Sequence, residues 1–189
     1  MKTTNIMIVG VGGQGTLLAS RILGNAVIRQ GHDVKVSEVH GMSQRGGSVV
    51  TYVKFGEAVH SPVIDRGEAD IILAFELLEA YRALPWLKKG GKMIVNEQRI
   101  NPMPVITGAA KYPENILEKL QKEIDVTALD ALSLAKQAGN AKAANVVLIG
   151  VMAKNTSIPY EEWVETVRAS VPPKFVDVNL KAFELGYNL

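Results

Sequence analysis

Cysteine is absent from all 189 residues. That excludes disulfides, thiolate nucleophiles and any iron–sulfur cluster held by cysteines of this chain, and it fits a reducing compartment. Charge of one sign is also missing. Lys and Arg total 21 against 19 Asp and Glu, a formal net charge of +2, with no dense basic block. Neither nucleic acid nor a membrane surface is therefore expected as a partner. The three histidines, His32, His40 and His60, are scattered and form no HExxH-type pair, so no metal site is expected. The longest apolar stretch, residues 146–153, is too short to span a bilayer. The first residues carry one lysine and a short apolar run that meets Gly10, which does not resemble a secretory leader. The expectation is a cytoplasmic protein with one domain over 1–189 and no internal repeat.

What the chain does contain is alternation. Residues 5–9 form a short apolar run that ends in glycine and reads as a buried strand. Residues 14–30 carry Leu17, Leu18, Ile22, Val27 and Ile28 at helical spacing, stopped by Gly31. Strands are then expected at 33–38, 48–55, 69–75, 92–96 and 124–128. A turn-rich connection is read at 101–104. Helices are expected at 76–88 (closed by Gly90-Gly91, with Lys88-Lys89 at its end), 113–123, 131–138, 141–154, 160–170 and 173–185. This pattern predicts an α/β, Rossmann-like, mostly parallel sheet with helices on both faces and a helical C-terminal third. Ligands of such sheets lie outside the carboxyl ends of the strands.

Two glycine-rich loops fall where such a site belongs. Gly10-Val11-Gly12-Gly13-Gln14-Gly15 fits GxGxxG between a strand and a helix, with Thr16 as a further hydroxyl. Glycine lets backbone approach a ligand closely, and the following helix N-terminus offers free N–H groups to phosphate. Glu38, at the end of the second strand, stands where an acid binds a ribose in dinucleotide folds. A nucleotide or other phosphate ligand, NAD in particular, and a loop that serves only tight packing are all compatible with this stretch.

The second loop, residues 40–47, gathers unusual chemistry between two strands. Glu38, His40, Gly41, Gln44, Arg45, Gly46, Gly47 and Ser48 place an acid, an imidazole, an amide, a guanidinium and three glycines together. Arg45 beside Gly46-Gly47 suits a carboxylate or phosphate, while a plain solvated loop with a Glu38–Arg45 pair is the blander alternative. His40 could titrate near neutrality, but no orienting partner is evident, and no residue is singled out as catalytic. Trp86 and Trp163 are read as packing residues, and Ala143, Ala144 and Gly150 as small residues for close helix packing.

Together, GVGGQGTLLASRILG and SEVHGMSQRGGSV resemble the gamma-type domain of the 2-oxoacid:ferredoxin oxidoreductases, and the resemblance covers essentially the whole chain. Pyruvate- and 2-oxoglutarate-type members typically carry Tyr-Gly-Pro before the Arg-Gly. Residues 39–47 here are most similar to the small, beta subunits of the indolepyruvate type. The resemblance implies thiamine-dependent oxidative decarboxylation of 2-oxoacids to acyl-coenzyme A, with electrons passing through iron–sulfur clusters to ferredoxin. This chain has no cysteine for clusters and no convincing thiamine-diphosphate signature. The resemblance therefore places thiamine diphosphate, Mg and the clusters on a larger partner subunit, with no cofactor bound by this chain alone. It also implies that Gly10, Gly12, Gly13, Gln14, Gly15 and Thr16 face coenzyme A or its phosphates. Glu38, His40, Gly41, Gln44, Arg45, Gly46, Gly47 and Ser48 would face the partner's active site. Two rivals stand beside it: a free NAD-binding dehydrogenase or regulatory module, and a scaffold whose loops only build an interface.

Overall fold

The computed structural model describes residues 3–41 and 46–189. Six strands form one sheet: β1 (Thr4–Val11), β2 (Asp33–His40), β3 (Ser48–Gly56), β4 (Ala69–Ala74), β5 (Leu87–Asn96) and β6 (Asp125–Leu129), in the order β2-β3-β1-β4-β5-β6. Among the described residues the α-helices are α1 (Thr16–Arg29), α2 (Leu77–Ala83), α3 (Met103–Ile106), α4 (Ile116–Glu123), α5 (Ala131–Ala138), α6 (Ala144–Ala153), α7 (Tyr160–Ser170) and α8 (Val176–Tyr187). β1, β4, β5 and β6 pair in parallel, while β3 pairs antiparallel with both β1 and β2. Only β3 therefore runs against the other five strands, as the expected mostly parallel sheet requires.

The central strands are apolar on both faces because both are covered. Ile6 and Ile8 of β1 join one core with α1, α5, α6, α7 and α8. Met7 and Val9 alternate into a second core with α2 and α4. The helix α6 is apolar all round and buried along nearly its whole length, as such a helix must be. Its partner α8 comes so close that a Cβ on Gly150 would lie 2.2 Å from the Phe183 carbonyl oxygen, and one on Gly186 would lie 2.0 Å from that of Val147. Backbone meets backbone there, so only glycine fits. Trp163 is fully buried, consistent with a packing role, while Trp86 is partly buried under the Arg66 guanidinium.

One expected element is corrected. The helix anticipated over 76–88 ends at Ala83, followed by a single 3-10 turn, Leu84–Trp86. Pro85 has no N–H for a continuing α-helix and its ring crowds the preceding turn. Lys88 and Lys89 therefore start β5 rather than end a helix, and Gly90, at φ 76°, sits where the β4–β5 register shifts. Two smaller differences follow. The helix expected from 113 begins at Ile116, after Asn115 in the left-handed region, and the turn at 101–104 opens into α3.

Candidate functional site at the carboxyl end of the sheet

The insertion of β3 between β1 and β2 brings the two glycine loops together. Ser48, the first residue of β3, is the register partner of Val11, the last of β1. The Gly12 amide donates to the Gly47 carbonyl at 2.8 Å, and the Gly46 amide donates to the Gly12 carbonyl at 3.3 Å. Segments more than thirty residues apart in sequence thus form one stitched surface. Gly13, Gly15 and Gly46 all hold positive φ, at 102°, 85° and 79°, a conformation that side chains with a Cβ disfavour.

The first loop is built from below. A Cβ on Gly10 would lie 2.9 Å from Gln14 Oε1 and 3.0 Å from Phe75 Cβ, so Gly10 makes room for the Gln14 side chain. That carboxamide is engaged within the fold. Its Oε1 accepts from the Val11 amide at 2.7 Å, and its Nε2 donates to the Phe75 carbonyl at 2.9 Å and to Gln98 Oε1 at 3.0 Å. Gly15 is the N-cap of α1 with no side chain capping the helix, and Thr16 is buried at its first position. The Asn145 side chain, at the start of α6, donates to the Gly15 carbonyl at 3.4 Å and fills the space a Cβ at Gly15 would need.

On the second loop, Glu38 and His40 are exposed. Glu38 accepts a hydrogen bond from the buried Thr51 hydroxyl at 3.3 Å, and His40 Nδ1 lies 3.1 Å from the Gly41 carbonyl. Gln44 and Arg45 lie outside the described residues, as does the Glu38–Arg45 pair anticipated from sequence. Ser48, exposed at the start of β3, donates to Glu79 Oε2 at 2.6 Å. Glu79 is buried on α2, and its other oxygen accepts from Arg82 at 2.6 Å.

Three clefts surround the stitched loops. A cleft of about 410 Å³ lies between the first loop, Leu17 and the ends of β2 and β3, with Glu38 and His40 in its wall. One of about 560 Å³ lies on the opposite side of the first loop, against Gln98, Lys142 and Asn145. A third, of about 380 Å³, lies between Gly46–Ser48, Glu79, Arg82 and the exposed apolar side chains of Met103 and Ile106. Among the described residues no group of three or more His, Asp or Glu is placed to hold a metal ion.

Several residues at this site carry no recognisable motif. Glu76, almost fully buried, caps α2 by accepting from the Glu79 amide at 2.9 Å, and it also accepts from the Ile100 amide at 3.0 Å and the Tyr112 hydroxyl at 2.5 Å. One carboxylate so clamps both stems of the excursion that carries α3. Burial, then the hydrogen bond to Glu76, hold the Tyr112 phenol well above its ordinary pKa. The Arg99 guanidinium lies 4.2 Å from the centroid of the Tyr112 ring. The only available cue was the pairing of Glu76 with Glu79, N-cap and N3 of a helix that follows a strand.

The topology bears on the dinucleotide alternative. In a dinucleotide fold the acid-bearing strand adjoins the glycine-loop strand. Here β3 separates them, which carries Glu38 to the sheet edge, roughly 10 Å from β1 at two strand spacings. The crevice between the loops after β1 and β4 is occupied by Gln14, hydrogen-bonded to Phe75.

Comparisons with known proteins identify the family and support the fold. Residues 5–189 match the family model described as pyruvate ferredoxin/flavodoxin oxidoreductase. The chain is 48% identical to indolepyruvate oxidoreductase subunit IorB of Thermococcus kodakarensis, over 98% of this chain and 95% of that one. It is 42% identical to the subunit of the same name from Archaeoglobus fulgidus, over 97% and 94%. Among solved structures, the gamma subunit of a keto/oxoacid ferredoxin oxidoreductase from Geobacter sulfurreducens superposes with a TM-score of 0.73 at 27% identity, covering 98% of this chain and 96% of that one. The chain belongs to the pyruvate ferredoxin/flavodoxin oxidoreductase family, and its extent is that of the family's separate small subunits.

Proposed function

We propose that this chain is the small subunit of a 2-oxoacid:ferredoxin oxidoreductase that acts on indolepyruvate or related aryl pyruvates. The observation that carries the reading is the near-complete, 48% identical match to an indolepyruvate oxidoreductase subunit, joined to a site made of two loops stitched at Gly12 and Gly47. A larger partner subunit carries thiamine diphosphate with Mg and the iron–sulfur clusters, and ferredoxin receives electrons through the complex. A chain without cysteine suits that division, since it offers no thiolate to a cluster. When bound, thiamine diphosphate supplies the electron sink for decarboxylation and coenzyme A accepts the acyl group.

This chain's own residues bind and shape. The backbone of Gly12, Gly13, Gly15 and Thr16, at an α1 terminus without a side-chain cap, faces coenzyme A or its phosphates. Gln14 holds that loop from beneath. Glu38, His40, Gly41, Gln44, Arg45, Gly46, Gly47 and Ser48 belong to the edge turned to the partner's active site. The protein works in the cytoplasm, with neither membrane nor nucleic acid as partner; among the described residues no helix is long and apolar enough to cross a membrane.

The test is co-expression with the large subunit, followed by reduction of a viologen dye with indolepyruvate, coenzyme A and thiamine diphosphate. Activity is expected only when both chains are present, and faster with indolepyruvate than with pyruvate or 2-oxoglutarate. Full activity of the large subunit alone overturns the reading. So does a failure to copurify combined with tight NAD binding by this chain.

A further inference from the structure

Beneath the first glycine loop, four groups close a hydrogen-bonded ring. The Gln14 Nε2 donates to the Phe75 carbonyl at 2.9 Å and to Gln98 Oε1 at 3.0 Å. The Asn96 Nδ2 donates to the same two acceptors, at 3.0 and 3.3 Å. The orientation of each carboxamide follows from the backbone groups that bound the ring. The Val11 amide can only donate, so Gln14 must turn its oxygen to it. The Ala131 amide, 3.1 Å from Asn96 Oδ1, fixes Asn96 in the same way. Both NH₂ groups then point at Gln98, which must answer with its oxygen.

That leaves the Gln98 NH₂ group. It has no protein partner among the described residues, and Gln98 lines the 560 Å³ cleft beside Gly13, Gly15 and Asn145. Two hydrogen bonds accepted at Oε1 polarise the amide and strengthen its nitrogen as a donor, because hydrogen bonds in a chain reinforce one another. Lys142, on the same cleft, forms no ion pair among the described residues. A cleft that presents a fixed NH₂ donor and the Lys142 ammonium selects oxygen acceptors over donors.

We propose that Gln98 is a ligand-binding residue of this site, presenting its NH₂ group as a donor to a phosphoryl or carbonyl oxygen of the ligand held by the first glycine loop. The inference rests on the reading of that loop as coenzyme A-facing. The informative variant is Gln98→Glu. Its carboxylate still accepts from Gln14 and Asn96, so the ring survives, but an anionic oxygen replaces the NH₂ in the cleft. A purely structural Gln98 tolerates this change and a binding Gln98 does not.

In the reconstituted complex, Gln98→Glu is expected to raise KM for coenzyme A at least tenfold while kcat at saturation stays within about twofold and the thermal midpoint is unchanged. Gly13→Ala, which forces a Cβ onto a φ of 102°, serves as the loop control. An unchanged KM in Gln98→Glu with a raised KM in Gly13→Ala overturns the role of Gln98 and leaves the loop reading standing. An unchanged KM in both overturns the loop reading as well. Should Gln98→Glu not assemble, Lys142→Glu, which leaves the ring intact and reverses the charge in the same cleft, is expected to raise the same KM, and an unchanged KM there with a raised KM in Gly13→Ala overturns the cleft and with it the role of Gln98.

Discussion

Gly12 and Gly47 are joined by a backbone hydrogen bond of 2.8 Å, and the Gly12 carbonyl in turn accepts from Gly46. Neither loop is therefore shaped by its own sequence alone. What holds one holds the other, and changes placed well outside the glycine motifs will register in both.

Ser48→Ala tests that coupling from the side of α2. The substitution removes a 2.6 Å hydrogen bond to a buried carboxylate, which then keeps Arg82 as its side-chain partner among the described residues. Hydrogen bonds to charged groups contribute about 1.5–3 kcal/mol, and urea unfolding should show a loss of that order. Ser48→Thr, which keeps the hydroxyl, should recover most of it.

Gly15→Ala addresses the first loop. An alanine there meets both a φ of 85° and the Asn145 amide nitrogen at 2.6 Å. The conformation alone costs about 1–2 kcal/mol. Removing the obstacle in the double variant Gly15→Ala/Asn145→Ala should relieve the steric part and leave the conformational part. Equal losses in the single and double variants would refute the contact.

Tyr112 predicts an alkaline signature. Its folded pKa is raised above the ordinary value of 10.0, because burial and the Glu76 carboxylate disfavour the phenolate. A raised pKa contributes stability that is complete below the unfolded value and is lost as pH rises toward the folded one. The wild type should therefore lose stability from about pH 10 upward more steeply than Tyr112→Phe. At neutral pH the variant should be the weaker, since Glu76 then lacks its 2.5 Å donor. Parallel curves above pH 10 would contradict this assignment.

Gly150→Ala and Gly186→Ala should be among the most damaging small substitutions in the chain. Each new methyl would meet backbone of the facing helix at 2.2 or 2.0 Å, where no rotamer change gives relief. Overpacking commonly costs about 1–3 kcal/mol, and a backbone obstacle places these at the upper end or beyond. Thermal denaturation would show it directly.

Much of the fold was legible because glycine punctuates it, ending apolar strand runs at Gly10 and Gly56 and the first helix at Gly31. The helix of 131–138 matched residue for residue, since Asp130 caps it and Gly139 ends it. Helical spacing continues past Ala83, but Pro85 ends the helix there. The site was legible as two loops but not as one surface. Their contact depends on β3 running antiparallel between β1 and β2, and strand order is not written in local pattern. Asn96 ends the expected strand of 92–96 and Gln98 follows it, and neither belongs to a motif. The Gln98 bond to Gln14 spans 84 positions, and Asn96 joins the same ring only once the sheet is assembled. Glu76, the first residue of the helix expected over 76–88, likewise belongs to no motif and proves to be a buried clamp.

The glycine contact between α6 and α8 also acts as a ruler. Because Gly150 and Gly186 let the two helices touch at one height only, sliding either by a turn would drive a side chain into backbone. Asn145, little more than one turn before Gly150 on α6, therefore reaches Gly15 at a level set against the last helix of the chain. The first glycine loop, made from residues near the amino terminus, takes its calibration from a residue almost at the other end.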